Sequence, residues 1–187
     1  MSDDAQALTL DRVRGIRQRL HAHIAQETRE LGADPALIAG EAGRMNGLEF
    51  LQRWLNPEMP PPPAVAVLFG MEWVEIEPSR VALALEPAEW MFNPIGMIHG
   101  GVAATLLDTV MGSAVHTTLP AGTGYTTSDL QIRYLRAMNL ETGRVIATGN
   151  VVHPGRRHAT AEGRIEVEET GKLIATATAG CTIIGPA

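Results

Sequence analysis

Asn93-Pro94-Ile95-Gly96-Met97-Ile98-His99-Gly100-Gly101-Val102-Ala103-Ala104-Thr105-Leu106-Leu107-Asp108 is the stretch that decides how this chain reads. It opens on turn formers, Asn93-Pro94 and then Gly96, and passes through His99-Gly100-Gly101 into an apolar run. The run continues to Thr118, where Pro120, Gly122 and Gly124 close it, so a helix is predicted over 101–118. Two glycines at the start of a helix leave backbone N–H groups unshielded and aimed outward, which suits an oxygen that gains negative charge. Asp108 is a lone carboxylate among Leu106, Leu107, Val110 and Met111. A charge in such surroundings is costly unless it is paired or used. An anion-holding turn and a base lie on one helix.

Their spacing carries its own consequence. Eight residues separate Gly100 from Asp108, which in a straight helix is ~12 Å along the axis. No single carbonyl group touches both within one subunit. Either the two features are unrelated, or Asp108 meets Gly100 of a second, antiparallel copy across a two-fold axis.

Strand patterns surround this helix. Before it, Glu72 to Glu77 and Arg80 to Glu86 read as strands joined by Pro78-Ser79, with Val81, Leu83 and Leu85 alternating. After it come Thr126 to Leu135, Gly143 to His153, Ala159 to Glu168 and Leu173 to Ile184, separated by turns at Pro154-Gly155 and Glu169-Thr170-Gly171-Lys172. Strands, one long helix and then three or four consecutive antiparallel strands give an α+β meander wrapped around the helix. Further upstream, Pro57 and Pro60 to Pro63 set a stiff connection. Residues 1–56 therefore read as a helical extension, and 57–187 as the main domain. Within the extension, helices are predicted over 7–31, with Leu10, Val13, Ile16, Leu20 and Ile24 on a stripe, and over 47–55.

Composition narrows the function. The chain has 187 residues, 45% hydrophobic and 19% charged, with a net charge of -6. That balance fits one globular domain and argues against nucleic acid as the main partner. The cluster Arg12, Arg14, Arg17 and Arg19 is offset by neighbouring acids and reads as a solvated helix face. The start Met1-Ser2-Asp3-Asp4 carries no signal-peptide pattern, no run approaches a membrane span, and Cys181 is the single cysteine. A cytoplasmic location without a membrane partner is expected. His21 and His23 diverge on their helix, and His116, His153 and His158 lack a companion ligand cluster, so no metal is expected.

The residues then resemble a known family. Asn93-Pro-x-Gly-x-x-His99-Gly100-Gly101 followed by Asp108, with Thr126-Thr-Ser-Asp-Leu-Gln-Ile-Arg-Tyr-Leu-Arg136 and His153-Pro-Gly-Arg-Arg-His158, is similar to the PaaI-like hotdog-fold acyl-CoA thioesterases. The resemblance covers roughly residues 48 to 184. It implies that an acyl-CoA or aryl-CoA is hydrolysed to free acid and CoA, with coenzyme A part of the substrate and no separate cofactor. It further implies that Asp108 acts as general base or nucleophile and that the Gly100 N–H forms the oxyanion hole. Asn93 falls where the family places an amide that orients water or substrate, and Thr127 near a hydroxyl with a similar task, although Thr126 is one residue away. His99 is expected to brace the loop. A homodimer or dimer of dimers, with sites at the subunit interface, follows from the family's fold.

Coenzyme A carries phosphates, which favours arginines at turns and strand ends. Arg156 and Arg157 are the first candidates, Arg133 and Arg136 the next, and Gly101 joins the substrate-binding set. Each of these residues has a structural rival role: close helix packing for Gly100-Gly101, a plain turn for Asn93, a solvated hairpin for Arg156-Arg157. Two other functions compete with hydrolysis. One is a non-catalytic acyl-CoA sensor; the other is an enoyl-CoA hydratase or dehydratase of the same fold, which relies on a histidine paired with an acid.

Overall fold

The computed structural model describes residues 10–30, 40–56 and 64–185. The predicted proline connection lies outside the described residues. Among the described residues, α1 Leu10–Glu30, α2 Gly47–Gln52 and α3 Ala64–Phe69 precede the sheet, with further helical turns at 40–42 and Arg53–Leu55. Then follow β1 Glu72–Glu77 and β2 Arg80–Leu85, the long helix α4 Gly100–His116, and β3 Gly124–Tyr134. The chain ends in β4 Val145–His153, β5 His158–Val167 and β6 Leu173–Ile184.

The strands form one antiparallel sheet in the order β1-β2-β4-β5-β6-β3. Only β4, β5 and β6 make the predicted meander. β3 departs from it, pairing with β6 at the far edge while β4 takes the place beside β2. The reason is α4, which leaves the end of β2 and crosses the concave face before β3 begins. The sheet closes around it in the hotdog arrangement.

Small residues permit that wrap. Leu106, Leu107, Val110 and Met111 of α4 are fully buried. They face Ala147, Ala159, Ala161, Ala175, Ala177 and Ala179, all buried alternate positions of β4, β5 and β6. At Gly149 a Cβ would sit 2.5 Å from the Val110 backbone, so the helix approaches β4 more closely than any side chain allows.

α2 is docked rather than detached. Asn46 caps it by accepting from the Glu49 N–H at 2.9 Å. Phe50 and Leu51 share a cluster with Ile76, Val81 and Ala114, and Trp54 stacks on Trp73 at 5.2 Å. α1 differs: Ile16 and Leu20, on its predicted apolar stripe, remain about half exposed, at 45% and 54%. No helix among the described residues is long and apolar enough to cross a membrane.

Candidate active site

The loop ahead of α4 is closed by its own polar groups. Asn93 accepts at Oδ1 from the Ile95 and Met97 N–H groups, each at 3.1 Å. Its own N–H donates to the Met97 carbonyl at 2.7 Å, and Gly96 turns the chain with a φ of 78°. Phe92 and Ile98 bridge across the loop, and the Ile98 N–H reaches the Met138 carbonyl. This network fixes where α4 begins.

His99 is the N-cap, its Nδ1 accepting from the Gly101 N–H at 2.8 Å across the turn. The same bond corrects the reading of Gly101: its N–H is committed to His99 and is not free to hold substrate. The Gly100 N–H meets no acceptor among the described residues. It is the open donor at the positive end of the α4 dipole. Sequence reasoning missed Tyr134, which donates to the Gly100 carbonyl at 3.1 Å and lays its ring 3.3 Å from where a Gly100 Cβ would stand. Its alternation with Leu130 and Ile132 on β3 was legible; its reach to Gly100 depends on the fold.

Asp108 sits on the one face of α4 that stays half-exposed. Gly101, Ala104, Thr105, Asp108 and Thr109 recur there at three- and four-residue spacing, while the rest of the helix between its end residues Gly100 and His116 is buried. Thr127 on β3 donates to Asp108 Oδ1 at 2.7 Å. Of the two adjacent threonines, it is therefore Thr127 that reaches the carboxylate. The pair opens into a hollow of about 430 Å³ shared with Ala104, Thr105, Ser128, Asp129 and Leu130.

Gly100 lines a different hollow, of about 270 Å³, with Ile98, Ala103, Tyr134, Arg136 and Met138. Within one chain Asp108 and the open Gly100 amide are not brought together, in keeping with their helical spacing. Arg136 borders the Gly100 hollow and donates to the Leu173 carbonyl at 2.5 Å. Arg156 and Arg157 line a third space of about 770 Å³, against Thr118, Pro120 and Ile183 near the end of α4. Arg133 belongs to none of these. It points to the outer face of the sheet, beside Glu162, Arg164 and Thr176, because strand alternation turns it away from its neighbour Ile132.

Behind Asp108 the environment is dry. Burial pushes the Cys181 thiol up, the nearby Asp108 charge adds to this, and Thr127 partly offsets it. Cys181 is fully buried and inert as a nucleophile. Burial likewise drives the Tyr125 hydroxyl well above its ordinary value and lowers His116. No cluster of three potential metal ligands exists among the described residues.

Known proteins resemble this chain. The thioesterase superfamily profile matches residues 95–174. An esterase-like protein of Halobacterium salinarum is 42% identical over 69 residues, which is 36% of this chain and 44% of that protein's length. Acyl-coenzyme A thioesterase 13 of Homo sapiens is 32% identical over 109 residues, covering 58% of this chain and 76% of the relative. Among solved structures, a phenylacetic acid degradation-related protein of Ralstonia eutropha is 30% identical with a TM-score of 0.61, covering 70% of this chain and 97% of its own. A Streptococcus mutans protein solved with acetyl CoA bound is 26% identical with a TM-score of 0.56, over 62% of this chain and 89% of its own. The helix cap, the carboxylate on the open stripe and these likenesses agree: this chain belongs to the thioesterase superfamily, as a PaaI-like hotdog thioesterase.

Proposed function

We propose that the protein hydrolyses an acyl-CoA or aryl-CoA thioester to the free acid and CoA, in the cytoplasm and without a cofactor of its own. The observation that carries this reading is the Thr127–Asp108 hydrogen bond on the open stripe of α4. It engages one carboxylate oxygen and leaves the other to take a proton from water. Water oxygen then bonds to the thioester carbon as Asp108 accepts the proton. Negative charge develops on the carbonyl oxygen, where the Gly100 N–H of a second subunit receives it. Collapse of this intermediate breaks the C–S bond, and the departing thiolate recovers the proton. Direct attack by Asp108 on the carbonyl carbon uses the same groups and passes through an anhydride.

The second subunit follows from distance. Asp108 and Gly100 line separate hollows of one chain. β3 is a free sheet edge beside the small-residue stripe of α4, so an antiparallel copy placed there brings Gly100 of one chain to Asp108 of the other. The Asn93 amide nitrogen, left over once Oδ1 has closed the loop, orients substrate. Arg156 and Arg157 offer phosphate contacts for CoA, with Arg136 nearer the acyl end.

No observation favours the hydratase alternative, because His99 caps α4 instead of pairing with an acid. The deciding experiment is thiol release from acetyl-CoA, hexanoyl-CoA and benzoyl-CoA by wild type and Asp108→Asn. Wild-type turnover that falls at least ~10²-fold in the variant supports hydrolysis by Asp108. Binding of these esters with no thiol released would point to the sensor instead.

A further inference from the structure

Tyr125 has no part in the chemistry above, yet it lies two residues before Thr127 on β3, with its side chain on the same face of the strand. Gly112 lies four residues after Asp108, on the same face of α4. Two residues along a strand span ~6.7 Å and four along a helix ~6 Å, so the two intervals match. The result is a pair of rungs between strand and helix. One is the 2.7 Å bond from Thr127 to Asp108. The other is the Tyr125 ring resting on Gly112, where an added Cβ would fall 2.5 Å from Cε2 and 2.6 Å from the hydroxyl oxygen. Only glycine leaves room for that seat. Ser113, itself only 5% exposed, lies near the Tyr125 hydroxyl, and the ring lies 5.6 Å from that of His116.

Within one chain β3 is an edge strand, and the second rung adds to what its single ladder supplies. The strand has one strand neighbour, β6, and its pairing register breaks between Thr127 and Asp129. A bulge at that point lets the strand shift locally. Nothing in the sheet ladder alone sets the distance between β3 and α4 at Thr127.

Resting on the hydrolytic reading, we propose that Tyr125 is a positioning residue: with its ring seated on Gly112, it holds β3 so that Thr127 reaches and orients Asp108. Displacing the ring moves the carboxylate's donor without touching substrate. The effect belongs in turnover, since misplacement of about an ångström near the chemistry costs up to ~10²-fold.

The test measures kcat and KM on the best-hydrolysed ester of the panel for Tyr125→Leu, Tyr125→Phe, Gly112→Ala, Thr127→Ala and the Tyr125→Leu/Thr127→Ala double variant, with Asp108→Asn in the same series. Tyr125→Leu is expected to lower kcat roughly 10- to 100-fold with KM changed less than about twofold, and Tyr125→Phe, which keeps the ring, to recover most of it. The double variant should be no slower than the slower single variant, because both act through one carboxylate. Losses that multiply in the double variant, or a Tyr125→Leu enzyme as fast as wild type, overturn the proposal. If Tyr125→Leu does not fold, Gly112→Ala takes its place and is read by the same criteria, pressing on the ring from the helix side. Asp108→Asn keeps the two readings apart: full activity in that variant sinks the hydrolytic role, whereas its collapse beside an unaffected Tyr125→Leu sinks only the positioning role.

Discussion

Thr127 donates its hydroxyl hydrogen to Asp108 Oδ1 across 2.7 Å, tying an edge strand to the one carboxylate on the central helix. A hydrogen bond to a charged group contributes about 1.5–3 kcal/mol, enough to hold one rotamer of the acid. Thr127→Ala is therefore expected to lower kcat at least ~10-fold, and Thr127→Ser to restore most of it. Thiol release by the three proteins decides the point. A serine variant as slow as the alanine variant would mean that the methyl group matters and the hydroxyl does not.

Two glycines that face α4 predict different costs. At Gly149 the added Cβ meets the Val110 carbonyl carbon and oxygen at 2.5 Å, and backbone cannot step aside. At Gly163 it meets the Met111 side chain at 3.0 Å, which can turn. Gly149→Ala should cost about 2–3 kcal/mol and Gly163→Ala less than about 1 kcal/mol. For a chain of this size that is a fall of roughly 5–10 °C in Tm against one of a few degrees, read by thermal unfolding. Equal shifts would show that the helix can move away from β4.

His116 ties stability to pH. Burial between Phe50 and Tyr125 lowers its pKa from 6.5. The unfolded chain then binds a proton more readily than the folded one. By linkage, this contribution is fully present above about pH 6.5 and is lost as pH falls through 6.5 toward the lowered value. Tm should drop between pH 7.5 and 5.5, and His116→Phe should flatten that part of the curve. A wild-type profile that the substitution leaves unchanged would assign the pH dependence to other groups.

Much of the site was legible because its signals are local. The turn chemistry of Asn93 and Gly96, the loop brace at His99 and the lone acid at Asp108 each sit within one helical turn or loop, where sequence spacing equals spatial spacing. Strand positions followed from alternation, down to the turn at Ser79, which takes a φ of 66°. What escaped involves partners far apart in the chain. The placement of β3 beside β6 rather than β4 depends on α4 crossing the sheet, which periodicity does not encode. Tyr134 reaches Gly100 across 34 residues, and the ring of Tyr125 finds Gly112 only after the strand has docked. Arg133 was grouped with the phosphate-binding arginines by its charge and its place near a strand end, and strand parity turns it outward. Gly101 was counted as a donor because its N–H is near the helix start, but that N–H is spent on His99.

The proposed sharing of the site between two subunits makes a prediction that no single chain can satisfy. Gly100 is the first residue of α4, where proline is tolerated, and the preceding His99 has a ψ of 134°, the extended backbone that proline requires before it. Gly100→Pro therefore deletes the N–H while keeping the helix, although its ring must be accommodated by Tyr134. Alone, Gly100→Pro and Asp108→Asn should each be at least ~10²-fold slower than wild type. Mixed by co-expression, half of the dimers pair one chain of each kind. In those, one site joins an intact Asp108 to an intact Gly100, so about a quarter of wild-type activity should return. A mixture as inactive as its components would place Asp108 and its oxyanion donor in the same subunit, and the helix would then have to be far from straight.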